Sequence, residues 1–313
     1  MSFDPQQLIS GPDVRALADP NPIVPSLREL IQLEGRAGRI KSAPRSAQSV
    51  ESGRTLSKIK GRGMEYDESR PYAPGDDVRA LDWRVTARTG RPHTKLYRDE
   101  RDRPVILSVD YRGSMWFGTR AMFKSALAAR LAALFAWHAH AHGDRVGYQV
   151  FSERGLCESP PESGRAAVLK TLKALVDHTP NTRLMLPEDL LGLALEKLHQ
   201  HAKPGCLIRI LSDFRGLGTA EEQALSRLGR RANLELLVIQ DPLEASIPLG
   251  RHRFSNGQSE LEIDVDHPFQ TDYHSRFKAR QSHLEQLGRK LNARTHFLMT
   301  NDPISRAEGK ILR

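Results

Sequence analysis

The sequence PVILSVDYRGSM, residues 104–115, is the stretch that decides the fold of this 313-residue chain. It opens with a mainly apolar run that ends on Asp110. A run of this kind is typical of a central strand in a parallel sheet, because such a strand is buried on both faces. Residues 120–143 follow with apolar side chains at helical spacing and end on Gly143, which predicts a helix.

The same alternation of strand and helix continues towards the C-terminus. Four later segments repeat the strand pattern, and helical segments separate them; the strands are RVGYQVF, CLIRILSDF, LELLVIQD and THFLMT. Strands that alternate with helices imply right-handed crossovers and a parallel sheet with helices on both faces. The predicted fold class is therefore α/β.

The chain is predicted to divide into three segments. Residues 1–60 contain one helical segment, VPSLRELIQLEGRAG, and a basic linker with eight Lys or Arg residues against one acid between positions 36 and 62. Residues 61–103 form a motif-rich β element, and residues 104–313 form the α/β domain. The linker composition indicates a solvated tether or a docking element.

The overall composition restricts the possible compartments and partners. A formal net charge of +9 suggests an acidic partner such as nucleic acid. The N-terminus lacks the pattern of a signal peptide, and the most apolar run is too short to span a bilayer. Cys157 and Cys206 are far apart and give neither a zinc motif nor a disulfide framework. We expect a cytoplasmic protein without a membrane span.

Several enzyme signatures are missing from the sequence. It contains no phosphate-binding loop, no dinucleotide fingerprint, no H-E-x-x-H and no G-x-S-x-G. We therefore expect no enzymatic activity, and any ATP chemistry would belong to a partner. His138 and His142 lie one helical turn apart and could hold a metal, but histidines at a helix end also suit its negative pole, which is the favoured interpretation.

Two predicted strands end on an Asp close to a Ser. Asp110 precedes Ser114, and Asp213 ends the segment CLIRILSD. The run D-Y-R-G-S resembles the D-x-S-x-S metal-ion-dependent adhesion site of von Willebrand factor A domains, which implies a Mg²⁺ ion held by hydroxyl and carboxylate oxygens. Arg112 stands where the first Ser should be, so it either turns away or replaces the metal as partner of the two Asp residues. Candidates for the remaining Thr ligand are Thr179 and Thr182.

A block of motifs precedes this strand and carries a second resemblance. It contains GRGMEY from position 61, RPYAPGDDVR from position 70, DW at position 82 and ARTG at position 87, and GDRVGYQVFSE follows from position 143. The block resembles a bacterial family of uncharacterised von Willebrand factor A-like proteins often encoded beside MoxR-type AAA+ ATPases. The resemblance implies a von Willebrand factor A-like sheet and an AAA+ ATPase and a protein client as partners.

The residues of this block also suggest local structure. APGDD is predicted as a turn, and VRALDWRV and TKLYRDE are predicted as strands on either side of a second turn. The acidic side chains can pair with the neighbouring Arg residues, either to brace the element or to orient a docking surface anchored by its aromatic side chains. The candidate residues are Arg70, Tyr72, Gly75, Asp76, Asp77, Arg79, Asp82, Trp83 and Arg88.

These observations leave three functions open. The leading hypothesis is a non-enzymatic adaptor that works with a MoxR-type AAA+ ATPase in client maturation or complex assembly. The alternative is a nucleic-acid-binding protein, although the block lacks the aromatic and basic interleaving of RNA modules. A phosphoryl enzyme with Asp110 as nucleophile is the third, but such sites need a second Asp where Arg112 stands.

Overall fold

The described residues fall into two structural units. The computed structural model describes residues 21, 23–40, 64–73, 78–99, 102–179, 190–255 and 260–311. The larger unit is drawn from Met1–Arg45 and Arg103–Arg313, and the smaller one from Ser46–Asp102. Several positions singled out by the sequence lie outside the described residues, namely Gly75, Asp76, Asp77, Thr182 and most of the basic linker.

Two short helices, α1 (Leu27–Gln32) and α2 (Glu34–Ala37), are the first described elements of the larger unit. Helix α1 begins after Ser26, whose hydroxyl accepts a hydrogen bond from the Glu29 amide. Three apolar side chains of this segment are fully buried in the main hydrophobic core, namely those of Leu30, Leu33 and Ala37. The helical segment predicted near the N-terminus is thus packed into the larger unit.

The described part of the smaller unit contains a two-stranded antiparallel sheet and one α-helix. Strand β1 (Met64–Pro71) pairs with β2 (His93–Asp99), and helix α3 (Trp83–Thr89) lies between them in the sequence. The prediction of a strand over VRALDWRV was wrong, because this segment forms a single 3-10 turn, Val78–Ala80, followed by α3. Asp82 favours the helix over a strand, because its carboxylate caps α3 by accepting hydrogen bonds from the backbone amides of Arg84 and Val85.

A six-stranded sheet forms the centre of the larger unit. Its strands are β3 (Pro104–Asp110), β4 (Arg145–Ser152), β5 (Gly155–Glu162), β6 (Leu207–Ser212), β7 (Asn233–Gln240) and β10 (Arg294–Met299). They lie in the order β10-β7-β6-β3-β4-β5, and all neighbours except β4 and β5 are parallel. The predicted α/β class, with a mainly parallel sheet preceded by a small β element, is confirmed.

Three strands of the larger unit were not predicted from the sequence. β5 runs antiparallel at the edge of the sheet and contains Pro160 and Pro161, which only an edge strand tolerates well. β8 (Gly250–Ser255) and β9 (Glu260–Val265) form a separate antiparallel hairpin. Both pieces are rich in polar residues, so the apolar runs that mark buried parallel strands are missing from them.

Helices cover both faces of the large sheet. Besides α1 and α2, one face carries α4 (Lys124–Ala141), α5 (Arg165–Asp177) and α10 (Ile304–Ile311). The other face carries α6 (Leu190–His201), α7 (Thr219–Gly229) and α9 (His267–Lys290), and the short helix α8 (Pro242–Ala245) follows β7. Among the described helices, none has both the length and the apolar character that crossing a bilayer requires.

Helix α4 is the centre of its layer. Fifteen of its eighteen residues are buried. This burial explains why α4 has small and apolar side chains on all of its faces rather than on one stripe. The N-terminal helices cover its outer side: Trp137 donates from Nε1 to the Leu30 carbonyl at 3.0 Å, and Arg130 donates from Nε to Glu29 Oε1 at 2.5 Å. These contacts hold the middle and the C-terminal half of α4, and Lys124 is the first residue of this helix.

Candidate functional site

The carboxyl ends of β3, β6 and β7 bring several charged side chains together. β3 and β6 are neighbours, with Val109 opposite Leu211, so Asp110 and the pair Ser212 and Asp213 leave the sheet side by side. In open α/β sheets this carboxyl edge is where ligands bind. The structure therefore places the predicted acidic residues in one location.

Asp110 is held by the guanidinium of Arg112. Arg112 donates from Nε to Oδ1 at 3.0 Å and from Nη2 to Oδ2 at 2.7 Å, and its backbone amide donates to Oδ1 at 2.9 Å. The Ser212 hydroxyl adds a fourth hydrogen bond at 2.6 Å. Asp110 is completely buried and Arg112 is 7% exposed. Burial alone would lower the pKa of Arg112, but the adjacent Asp110 carboxylate outweighs this effect and raises it.

Asp213 is paired with a different cation, Lys124. The Lys124 ammonium lies 2.8 Å from Asp213 Oδ2 and 2.7 Å from Glu244 Oε1, and the lysine is completely buried. Ser114 donates to Asp213 at 3.2 Å, and Arg215 donates to Glu244 at 3.1 Å. Burial would raise the pKa of Asp213, but the Lys124 charge outweighs it and holds the pKa below its usual range.

This arrangement does not fit the magnesium ion that the resemblance implies. The two carboxylates that would serve the ion already have cationic partners, and a divalent ion about 4 Å from one guanidinium would face roughly 8 kcal/mol of repulsion at an effective dielectric of 20. The Thr179 hydroxyl donates to the Leu175 carbonyl at 2.6 Å. Within the described ranges, no group of three or more His, Cys, Asp or Glu side chains could hold a metal.

The sequence left two arrangements open for Arg112, which could turn away from the two Asp residues or pair with both. The structure agrees with the second arrangement for one of the two acids. Arg112 takes the position of a cation beside Asp110, as the second arrangement proposed. It does not pair with Asp213, because the completely buried Lys124 reaches that carboxylate from the start of α4. The carboxyl edge thus contains a network of side-chain cations and carboxylates rather than an open ligand set.

The smaller unit places its candidate residues in different environments. Asp82 is buried and accepts a hydrogen bond from Ser69 at 2.7 Å, which lowers its pKa. It caps α3 instead of pairing with an Arg, so the predicted pairing of this Asp with a guanidinium was wrong. Trp83, the next residue, is 69% exposed, and Arg88 on the same helix is exposed.

The remaining three described candidates lie in or near the strands of this unit. Arg70, in β1, donates to the Pro71 carbonyl at 3.2 Å. The Tyr72 amide donates to the Pro92 carbonyl at 2.9 Å, which extends the pairing of β1 and β2 by one hydrogen bond. Arg79 lies in the 3-10 turn before α3.

The family model described as "Protein of unknown function DUF58" matches residues 68–285, which is more than half of the chain. The chain belongs to the DUF58 family. Uncharacterised proteins from Mycobacterium bovis and from two strains of Mycobacterium tuberculosis are each 30% identical to it over 197 residues. The matched region is 62% of this chain and 60% of each relative, so the chain spans about 60% of the length of these curated relatives.

One solved structure was also similar to this DUF58 chain. It is the crystal structure of the conserved hypothetical protein BatB from Bacteroides thetaiotaomicron, with 16% sequence identity and a TM-score of 0.35. The match covers 60% of the DUF58 chain and 98% of BatB.

Sequence reasoning missed several residues of the carboxyl edge. Lys124 and Arg280 belong to helices whose apolar spacing gave no sign of a site, and Glu244 lies in the short helix α8, which was not predicted. Asp241 was missed although its strand also ends on an Asp; it accepts hydrogen bonds from Thr119 at 2.5 Å and Thr300 at 2.6 Å. That strand-end signal was available in LELLVIQD and could have identified Asp241.

The histidine pair of the DUF58 chain lies at the end of α4. The rings of His138 and His142 are 4.3 Å apart, and His142 Nδ1 lies 2.8 Å from the His138 carbonyl oxygen. Burial, together with the nearby His142 and Arg209, lowers the pKa of His138 to about 4, while Glu235 acts in the opposite direction. The folded protein therefore keeps His138 neutral at a pH where the unfolded chain would protonate it.

This difference predicts a loss of stability in mild acid. Because the pKa of His138 is lower in the folded state, its contribution is complete above about pH 6.5 and is lost as the pH falls from 6.5 towards 4. We expect a loss of about 1–2 kcal/mol, reduced for the partial exposure of the ring. His138→Gln should remove this part of the pH dependence in urea unfolding at pH 4.5 and 7. An unchanged pH dependence in the variant would contradict the assignment.

Proposed function

We propose that this protein is a non-enzymatic protein-interaction adaptor that works with a MoxR-type AAA+ ATPase in client maturation or complex assembly. The observation that carries the proposal is the exposed indole of Trp83. Its side chain is 69% exposed on a helix whose preceding residue, Asp82, is buried and fixed by three hydrogen bonds. A large aromatic side chain held in water on an ordered element is typical of an interface anchor.

The surroundings of Trp83 support the same proposal. Val78 is 60% exposed in the turn before α3, and Arg84 and Arg88 are exposed on the helix itself. Trp and Arg are the residues most enriched among the energetic centres of protein interfaces. The motif block that resembles MoxR-associated proteins includes all four positions.

The state of Asp110 argues against the phosphoryl-enzyme alternative. A carboxylate nucleophile must reach the substrate, whereas Asp110 is completely buried and both of its oxygens accept hydrogen bonds from Arg112. Nucleic-acid binding, the other alternative, stays a prediction from the net charge. Its test is the salt dependence of binding to duplex and single-stranded DNA.

The adaptor proposal predicts a specific loss of binding in Trp83→Ala. With purified full-length protein and a purified MoxR-type ATPase from the same organism, we expect the substitution to weaken binding at least tenfold, as expected for an interface anchor. The free energy of unfolding should change by less than about 0.5 kcal/mol, because the indole is exposed. Binding can be measured by surface plasmon resonance with nucleotide present.

A matched control separates a local effect from general hydrophobic binding. Leu193→Ala removes another exposed apolar side chain, 50% exposed on α6 of the larger unit, and should leave the affinity unchanged. Equal losses in the two variants, or no binding of the ATPase by the wild type, would refute the adaptor proposal in this form.

A further inference from the structure

A cleft of about 480 Å³ lies beside the carboxyl edge of the large sheet. Its walls come from the loop that follows β6 and from one face of α9, and its lining residues are Phe214, Arg215, Gly216, Leu217, Arg280, His283 and Leu284. The volume is in the range of sites for small ligands or single side chains. Three of the lining residues are apolar, and two carry guanidinium groups.

The loop that forms one wall is held in an uncommon conformation. Phe214 has a φ of 53°, a left-handed conformation that non-glycine residues rarely adopt. Its amide donates to Ser212 Oγ at 2.8 Å, and the Arg215 amide donates to Asp213 Oδ1 at 3.0 Å. Strained backbone that neighbouring groups fix in this way occurs preferentially at binding sites. The cleft wall is thus preorganised by Ser212 and Asp213 of the carboxyl edge.

Arg280 supplies the main unused binding capacity. Its Nη2 donates to the Asp213 carbonyl oxygen at 2.5 Å, which fixes the guanidinium at the cleft. Among the described residues, none places a carboxylate within ion-pair distance of Arg280. Burial lowers the pKa of its guanidinium. A guanidinium has five N–H donors in a planar fork that matches a carboxylate. Arg280 therefore has donors left for an anionic ligand.

The second guanidinium and the local charge define the ligand further. Arg215 is 53% exposed; its Nη2 donates to Glu244 and its Nε lies 3.8 Å from Asp213 Oδ2, so Nη1 is the part of the fork left for a ligand. The surrounding cations are Arg112, Lys124, Arg215 and Arg280, and the surrounding acids are Asp110, Asp213, Glu244 and Glu222, which faces the lining residue His283. These side chains leave no excess of positive charge to hold a dianion, so a single carboxylate fits the cleft better than phosphate does.

We propose that this cleft binds a carboxylate group on a short apolar stem, with Arg280 as the principal donor and Arg215 as the second. The stem would lie against Phe214, Leu217 and Leu284. A glutamate side chain of a protein segment and a free small carboxylic acid share this chemistry. The cleft residues belong to the larger unit and Trp83 to the smaller one, so this proposal can be tested independently of the adaptor proposal.

The test is ligand-detected NMR on the full-length protein with four probes. They are butanoate, the peptide acetyl-Gly-Glu-Gly-amide, its glutamine counterpart, and inorganic phosphate. We expect saturable millimolar binding of the two carboxylate probes and no saturation by the glutamine peptide or phosphate. Tighter binding of the glutamate peptide than of butanoate would indicate a protein source, and equal binding a free acid. No saturable binding of either carboxylate, or tighter binding of phosphate, would overturn the proposal.

Matched variants locate the binding. Arg280→Gln should weaken carboxylate binding at least tenfold, and Arg215→Gln about threefold or more, because fork-like ion pairs contribute most. Arg276→Gln, one turn earlier on α9, removes an exposed guanidinium paired with Asp272 and should change nothing. If Arg280→Gln does not fold, Arg215→Gln still decides, since its side chain is half exposed. Unchanged binding in Arg215→Gln and any folded Arg280→Gln, or an equal loss in Arg276→Gln, would overturn the assignment.

Discussion

Replacing Lys124 by methionine is expected to lower the free energy of unfolding by about 3–5 kcal/mol. The ammonium is completely buried and lies 2.8 Å from Asp213 and 2.7 Å from Glu244. Without it, Asp213 keeps only a longer ion pair, 3.8 Å from Arg215 Nε, and loses the charge that offsets the cost of its burial. Methionine fills a similar volume, so the measured loss would reflect charge rather than packing.

Urea unfolding measures this loss of stability, and two further variants show what causes it. Lys173→Met removes an exposed lysine that pairs with Asp177 on α5 and should cost less than about 0.5 kcal/mol. Adding Asp213→Asn to Lys124→Met removes the stranded charge and should recover part of the loss. A cost for Lys124→Met no greater than that for Lys173→Met would show that the buried pair does not support the fold.

Arg112→Ser is expected to lower the free energy of unfolding by a similar amount, about 3–5 kcal/mol in magnesium-free buffer. The substitution leaves Asp110 completely buried with one serine hydroxyl and one backbone amide as its remaining hydrogen-bond donors. It also removes the guanidinium that repels a divalent ion and adds a hydroxyl next to Ser114. We therefore expect magnesium to return part of the lost stability in the variant.

Thermal unfolding with and without 10 mM Mg²⁺ tests this expectation, and an ion bound at one hundred times its dissociation constant would return about 2.7 kcal/mol. The melting temperature of the wild type should not respond, because Arg112 and Lys124 already neutralise the two carboxylates. Arg165→Ser, which removes an exposed guanidinium paired with Glu34, serves as the control. An equal magnesium response in wild type and variant would mean that Arg112 moves aside for the ion.

Much of the larger unit could be predicted from local sequence. The apolar runs of β3, β4, β6, β7 and β10 correspond to the five strands that were predicted, because a strand buried on both faces cannot include many polar residues. The edge strand β5 and the hairpin of β8 and β9 lack this constraint and were missed. In the smaller unit, short alternation predicted a strand where Asp82 caps a helix, since one capping side chain outweighs a weak pattern.

The candidate site was only partly accessible to the same reasoning. Asp110 and Asp213 could be found because they end apolar runs at the carboxyl edge of the sheet. Arg112, the partner of Asp110, was among the alternatives that the sequence left open, but the side chains that contact Asp213 could not be found in the same way: Lys124 lies 89 residues before Asp213, and Arg280 lies 67 residues after it. Nothing in the local pattern of α4 or α9 distinguishes these side chains from solvated charges.

The sequence by itself determined the class of fold, the position of the acidic strand ends and the departure from a metal-binding pattern at Arg112. Only the tertiary structure decided which cation each acid receives, that Trp83 stays in water while Asp82 is buried, and that Arg280 has donors left at the cleft. The physical reason is the separation along the chain over which each kind of interaction acts. Hydrophobic periodicity is a local property of the chain, whereas an ion pair forms wherever folding brings opposite charges within a few ångströms.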